Sequence, residues 1–421
     1  MTKPITLLPG VTLRCFPDHR FKHGCLSVQL VRPMCRQEAA LNALLPAVLL
    51  RGSREYPDLR AITLRLDDLY GASVGTLVRR VGDWQTTGLY CSFMEDRFAM
   101  GEDEIFAPLT TFLKELLLCP ALENGVFRAD FVESEKKNLI STIESQLNDK
   151  RAYAMEQMVK RMCENDSFGI PRLGEPEQVA AITPGMLYNH YQKILRQSPI
   201  ELCYVGAAEE STVAGILKPV FEGLDRNYVN LPEQTAFQGG QGGEYEQTME
   251  ISQGKLCMGF CTPVTTRHSD FAAMQVLNMV FGGGMTSKLF MNVRERMSLC
   301  YAIGSGYHGS KGIVTVSAGI DSGMSETVRR EVMAQLQACC LGEISEAELT
   351  AAKQALRSSL LAIHDSPGAL ENYYATAALS GLKLTPEAYI RAVEETTAEQ
   401  VAQAAKSLTL HTVYFLKGVT A

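Results

Sequence analysis

Seven histidines and twelve cysteines are the residues of this 421-residue chain with lone pairs suited to a transition metal. The densest group is Cys15, His19, His23 and Cys25, a mixture of thiols and imidazoles that suits zinc. Its spacing, C-x3-H-x3-H-x-C, matches no common zinc finger. The segment Pro17-Asp-His-Arg-Phe-Lys-His-Gly24 has the composition of a polar hairpin turn, which is the stronger reading. Cys257 and Cys261 share one face of a strand but have no ligand-type neighbours, and Cys339-Cys340 closes a helix. Both read as buried thiols. No His-x-x-Glu-His or His-Glu-x-x-His occurs among the seven histidines, so the sequence offers neither helical two-histidine zinc motif. Asp67-Asp68 pairs two carboxylates, but on a charged helix end, where a solvated face is the expectation. Gly282-Gly-Gly284 lacks the Lys-Ser/Thr of a phosphate loop and follows a helix rather than a strand. It reads as a helix C-cap with a tight turn.

The composition narrows what such residues can serve. Hydrophobic residues make up 46% and charged residues 21%, the balance of a globular chain. The net charge of −7 argues against broad binding of nucleic acid or an anionic membrane. No stretch approaches the ~18 apolar residues of a spanning helix; the apolar run Ala39 to Leu50 is broken by Asn42 and Pro46. The N-terminal ten residues have no secretory pattern, and the cysteines are scattered through apolar stretches such as Leu89-Tyr-Cys-Ser-Phe93. A cytoplasmic protein with reduced thiols is expected.

Strands are expected at 11–16 and 25–31, with a hairpin of 73–81 and 86–93 around Gly82-Asp83. Helices are expected at 40–50 and at 60–69, the latter carrying Leu64, Leu66 and Leu69 on one side. Helices then dominate from 104 to 195: 104–118, 129–148, 151–164, and 185–195 behind the N-cap pair Thr183-Pro184. A strand at 200–205 follows. The polar, glycine-ended stretch 224–247 reads as a linker. Beyond it the pattern restarts, with strands at 255–262, 312–320 and 412–417 and helices at 271–281, 326–340, 347–364 and 398–408.

The two halves read as diverged copies. Thr183-Pro-Gly-Met-Leu187, its helix and the strand at 200 recur 214 residues later as Thr397-Ala-Glu-Gln-Val401, its helix and the strand at 412. The expected fold class is therefore α+β: two homologous domains, each a mostly antiparallel sheet with helices packed on one face. The expected limits are 1–223, a linker at 224–247, and 248–421.

Four stretches resemble the M16 (pitrilysin/insulinase) family of zinc peptidases, in particular its short two-domain bacterial branch. They are 42–54 followed by Asp67-Asp-Leu-Tyr-Gly-Ala72; Phe131-Val-Glu-Ser-Glu-Lys-Lys-Asn-Leu139; Gly174-Glu-Pro-Glu-Gln-Val179; and Phe281-Gly-Gly-Gly-Met-Thr-Ser-Lys-Leu-Phe290 running into Val293-Arg-Glu-Arg-Met-Ser-Leu-Cys-Tyr301. They keep the family's order over nearly the whole chain. The resemblance implies a LuxS/mitochondrial processing peptidase-like metallohydrolase fold. Active members carry His-x-x-Glu-His on the first helix, where two histidines one turn apart hold zinc, the glutamate activates water and a later glutamate completes the ligands. With Arg51-Gly52-Ser53 set on the basic-glycine-small step after that motif, its positions fall on Ala43 through Ala47. Both histidines are replaced, by Ala43 and Ala47, and the general base by Pro46; the later ligand falls at Thr142, with Glu144 two residues out of register. None of these side chains offers the family's ligand, so no cofactor is expected in this chain itself.

The resemblance also implies roles for Arg294 and Tyr301, the Arg/Tyr pair by which active members bind the substrate backbone and steady the oxyanion. A guanidinium fork and a phenol can together polarise a peptide carbonyl. Some bacterial members work as two chains, one with zinc and one with the Arg/Tyr pair. The implied function is a non-catalytic, substrate-binding subunit, inactive alone, that forms a heterodimer with a zinc-bearing M16 homologue and binds peptide or unfolded protein. The peptide would add as a strand to a sheet edge such as 73–81, where Gly71 and Gly75 admit a close backbone. The alternative implied by the subgroup is an accessory or structural protein without peptide chemistry, for example in elongation factor P modification.

Overall fold

A computed structural model describes residues 3–419; the outermost positions of the two expected domains lie outside the described residues. The strands are β1 Ile5–Leu8, β2 Val11–Pro17, β3 His23–Pro33, β4 Ser73–Val81, β5 Trp84–Met94, the short pair β6 Leu122–Glu123 and β7 Val126–Phe127, β8 Ile200–Gly206, β9 Gly243–Glu250, β10 Gly254–Cys261, β11 Ala302–His308, β12 Ile313–Ile320 and β13 Thr409–Val419. Besides the two-stranded β6-β7 pair, two large sheets result, ordered β1-β2-β8-β3-β5-β4 and β11-β12-β10-β13-β9. Read from β2 and from β9, the two orders are the same: one parallel pair, β2/β8 or β9/β13, followed by three antiparallel pairs. Shared strand order and pairing sense are the structural counterpart of the sequence duplication.

The helices are α1 Ala39–Leu49, α2 Leu59–Asp68, α3 Phe106–Leu118, α4 Ala129–Ser145, α5 Lys150–Met162, α6 Pro176–Ala180, α7 Pro184–Gln197, α8 Glu210–Phe221, α9 Phe271–Asn278, α10 Ser325–Cys340, α11 Glu346–Leu361, α12 Pro367–Ser380, α13 Pro386–Glu395 and α14 Ala398–Lys406. The repeated Thr start signals work as N-caps. Thr183 Oγ1 accepts from the Met186 N–H at 3.2 Å and Thr397 Oγ1 from the Gln400 N–H at 3.3 Å. On α2 the packed residues are Ile62, Leu66 and Leu69, whereas Leu64 is exposed, because a 3.6-residue period turns Leu64 away from the other leucines.

The chain forms two compact units, each drawn from both halves of the sequence. The first comprises Met1–Glu144, Ile170–Glu233 and His364–Leu379, and the second Ser145–Gly169, Gln234–Ile363 and Ser380–Ala421. This departs from the contiguous limits expected from the sequence: α5, from the first half, belongs to the second unit, and α12, from the second half, to the first. The expected linker also ends early, since residues 243–250 form β9. As an edge strand alternating only half-buried and exposed side chains, β9 carries no apolar signature to distinguish it from a polar connection.

In the first unit one face of the sheet (Leu13, Leu26, Leu30, Leu89, Leu202, Tyr204) joins α1, α3, α7 and α8 in a single apolar core. The opposite face is polar and takes α12. Phe16 stacks on Tyr374 at 3.9 Å between ring centroids. Arg79 on β4 grips the fully buried Glu371 through two bonds, Nη1 to Oε1 at 2.9 Å and Nη2 to Oε2 at 2.7 Å, and Gln29 Nε2 donates to the same carboxylate at 3.3 Å. In the second unit α5 occupies the equivalent face. A Cβ on Gly259 would sit 2.5 Å from the Met162 sulfur and 2.8 Å from that of Met158, so glycine is what lets α5 lie directly on β10. Each sheet thus has helices on one face and one helix from the other half of the sequence on the second face.

Candidate functional site

The four family positions meant for metal chemistry sit on α1 and α4. Ala43 is buried, Pro46 is buried inside α1, Ala47 is half-buried, and Thr142 is exposed with its hydroxyl donating to the Asn138 carbonyl of its own helix at 2.9 Å. A methyl, a pyrrolidine ring and an intrahelically bonded hydroxyl do not fit zinc. Among the described residues no group of three His, Cys, Asp or Glu side chains gathers at metal-binding distance.

A polar network instead anchors this helix. Pro46 has no N–H, so the Asn42 carbonyl one turn back loses its helical partner. The Thr87 hydroxyl on β5 donates to that carbonyl at 2.6 Å. Asn42 itself is fully buried; its Nδ2 donates to Gln85 Oε1 at 2.8 Å, and its Oδ1 lies 2.7 Å from His190 Nε2. With Nδ2 already donating, Oδ1 is the acceptor, which assigns the proton to Nε2. Burial pushes the imidazole of His190 down to about 4, so it is a neutral donor near pH 7. Gln85 Nε2 completes the set by donating to the carbonyls of Ala39 and Arg172 at 3.1 and 2.7 Å. Thr87→Val removes the donor while keeping the shape. It is expected to lower the unfolding free energy by about 1–3 kcal/mol, the cost of a buried carbonyl left unpaired. In a Pro46→Ala background that loss shrinks, because an alanine at this position restores the helical N–H. Urea denaturation of the four proteins measures both; equal losses in the two backgrounds would contradict the assignment.

Arg294 and Tyr301 lie in the second unit on either side of a tight reversal. A π-helical segment, Leu289–Arg296, carries Arg294. Ser298 then turns with φ +52°, the Leu299 N–H returns to the Val293 carbonyl at 3.0 Å, and the Tyr301 N–H joins the sheet at Gly319 O, 2.9 Å. The Arg294 side chain is 40% exposed; it lies over the Phe290 ring at 4.6 Å and 3.6 Å from Glu295 Oε1. Tyr301 is 55% exposed, and its hydroxyl donates to Asp321 Oδ1 at 2.9 Å. That bond and the carboxylate's charge hold the phenol above its usual range, keeping it a neutral donor. Asp321 and Phe290 are partners that no motif in the sequence announces. The expected cap and tight turn fall on Gly284, which caps the helical segment before it and whose carbonyl accepts from the Ser287 N–H at 3.1 Å. Met279–Gly283 is a π-helical turn continuing α9, and Gly284 is extended. Gly282 answers close packing, since a Cβ there would meet the Ser305 N at 2.8 Å.

The edge strand β4 ends the six-stranded sheet, and among the described residues no other strand pairs with its outer side. The Val78 carbonyl on that side accepts from Arg172 Nη1 at 2.6 Å. By the two-residue period, Val74 and Thr76 present their backbone groups to the same side. A Cβ on Gly75 would meet nothing within 4 Å.

The cysteine–histidine cluster is dispersed by topology. Strand β8 lies between β2 and β3, and Cys15 and Cys25 point to opposite faces of the sheet, both thiols pushed up to about 12 by burial. His19 is 64% exposed near Glu209. Asp67 and Asp68 are exposed at the end of α2.

The family described as "Peptidase M16 inactive domain" matches residues 181–356. The chain is 29% identical over 409 residues, 97% of its length and 96% of the relative's, to the "Probable inactive metalloprotease YmfF" of Bacillus subtilis (strain 168). Its structure is similar to that of a conserved protein from Enterococcus faecalis V583, with TM-score 0.93, 28% identity and coverage of 100% and 99% of the two chains. It shares its fold with a peptidase M16 inactive domain from Pseudomonas fluorescens, with TM-score 0.82, 18% identity and coverage of 100% and 98%. No helix among the described residues is long and apolar enough to cross a membrane.

Proposed function

We propose, from the premise that this chain belongs to the M16 (pitrilysin/insulinase) peptidase family as a zinc-less member, that it is the substrate-binding subunit of a two-chain peptidase. The observation that supports this reading is the asymmetry between its two halves. Ala43, Pro46, Ala47 and Thr142 stand at the metal positions, whereas Arg294 and Tyr301 are present and exposed. A zinc-bearing homologue supplies the metal and the activated water. The Arg/Tyr pair of this chain binds the peptide carbonyl at the partner's zinc, and an open sheet edge such as β4 can take extended peptide as an added strand. The assembly is a cytoplasmic heterodimer acting on peptide or unfolded protein.

The Tyr301–Asp321 bond favours a second reading, an accessory protein without peptide chemistry, because in this state the phenol already has its acceptor.

Metal analysis with a cleavage assay tests the premise on the isolated chain. Purified without chelators and supplied with zinc, it retains well below one equivalent and does not cleave a quenched peptide. A full equivalent together with cleavage would overturn the reading.

A further inference from the structure

We propose that the second unit carries a subsite for an acidic side chain of the bound peptide, centred on Arg151; this rests on the reading of the chain as a peptide-binding subunit. Helix α5 covers β10 through Met158 and Met162, but toward the edge of the same sheet a trough of about 750 Å³ opens. Its floor is a strip of β11 and β12 in which Gly304 pairs with Ser317 and Gly306 with Thr315. Two glycines in one row leave the volume that side chains would fill, and the opposite row supplies two hydroxyls. Arg151, in the first turn of α5, leans over this floor. Its Nε donates to Ser317 Oγ at 2.9 Å, which fixes the plane of the guanidinium, and its Nη2 lies 3.8 Å from where a Cβ on Gly304 would sit.

The outer nitrogens of Arg151 have no carboxylate partner among the described residues. The nearest acid in sequence, Asp149, also lines the trough, but its Oδ1 accepts from the N–H groups of Arg151 and Ala152 at 3.0 Å each, capping α5, and not from the Arg151 guanidinium. An immobilised guanidinium fork with free donors above a glycine floor is complementary to a carboxylate, which takes two parallel N–H bonds from it. The trough also adjoins the Arg/Tyr pair. Phe290 forms part of its wall, and the guanidinium of Arg294 lies over that same ring at 4.6 Å. A peptide whose backbone engages Arg294 therefore has a neighbouring side chain within reach of Arg151.

The test is selection from random decapeptides on the immobilised full-length chain, using N-acetylated libraries in two forms, C-terminally amidated and free acid. In the amidated library, wild-type chain enriches Glu or Asp at one position by about tenfold over input, as expected for a charge-assisted bidentate contact. Arg151→Gln and Gly306→Val each return that position to input levels, the first by removing the fork and the second by filling the floor while Arg151 stays. A Cβ at Gly306 meets Thr315 Oγ1 at 3.5 Å, an ordinary contact, so this variant keeps the fold; thermal melts of both verify it. Equal enrichment in the wild type and both variants, or retained peptides with no acidic preference, overturns the subsite and leaves the peptide-binding reading standing. Enrichment confined to the free-acid library overturns it in favour of a C-terminal carboxylate site. Retention of no peptide from either library overturns the peptide-binding reading and the subsite with it.

Discussion

Replacing Arg294 by alanine is expected to lower peptide cleavage by the proposed two-chain assembly about 10²–10³-fold, the usual cost of one preorganised oxyanion donor. The zinc content of the assembly is unchanged, because no ligand is touched. Tyr301→Phe removes only a hydroxyl and produces a loss of the same kind. The expected split between parameters carries the argument: a group that acts on the developing oxyanion depresses kcat, whereas one that merely holds the peptide raises KM. Arg294→Lys recovers only part of the rate, since an ammonium cannot reproduce the planar fork that rests on Phe290. In the present geometry Tyr301 donates to Asp321, so substrate must draw the phenol from that carboxylate. Asp321→Asn weakens the competing acceptor and is expected to raise kcat slightly. An assembly indifferent to Arg294 and Tyr301 would support the accessory reading instead.

The second large effect is on stability and is asymmetric. Glu371 is fully buried on α12, and Arg79 on β4 is 24% exposed. Arg79→Ala leaves a buried carboxylate with only Gln29 beside it and is expected to cost about 3–5 kcal/mol. Glu371→Ala costs less, because Arg79 can turn its guanidinium to water. Arg79→Met combined with Glu371→Leu recovers most of the loss, as a matched apolar pair replaces the ion pair. Denaturant midpoints of the four proteins measure this, and limited proteolysis localises it: cleavage should rise within 364–379, the segment that carries α12. Equal costs for the two single variants would contradict the burial argument.

That ion pair also marks the limit of what the sequence could disclose. Strands β2, β3, β5 and β8 and helices α3, α7 and α14 were legible, because one face of each is apolar at a clean period, and α7 and α14 also start at Thr N-caps. Helix α12 was not. Pro-Gly-Ala-Leu-Glu-Asn-Tyr-Tyr-Ala-Thr-Ala-Ala-Leu-Ser spreads small and apolar residues around the whole helix, so no stripe emerges. Its single charged residue, Glu371, was a usable sign of a buried partner, but that partner is 292 residues away. For the same reason the exchange of α5 and α12 between the two units was unreadable: local periodicity says that a helix forms, not which sheet receives it. The π-helical segments at 279–283 and 289–296 depend on close packing around Gly282 and escape any periodic pattern. At the site, the losses at Ala43, Pro46, Ala47 and Thr142 and the presence of Arg294 and Tyr301 were legible through the family resemblance. The network that stabilises Pro46 was not, because Thr87 and His190 reach Asn42 only through the fold.

The most direct measurement of the central claim is a titration of this chain into a fixed concentration of a homologue bearing intact His-x-x-Glu-His, read as cleavage of a quenched peptide. Negligible cleavage by either chain alone is expected, with a rate that rises linearly to a break at one equivalent. Full activity of the homologue alone, unchanged as this chain is added, would contradict it.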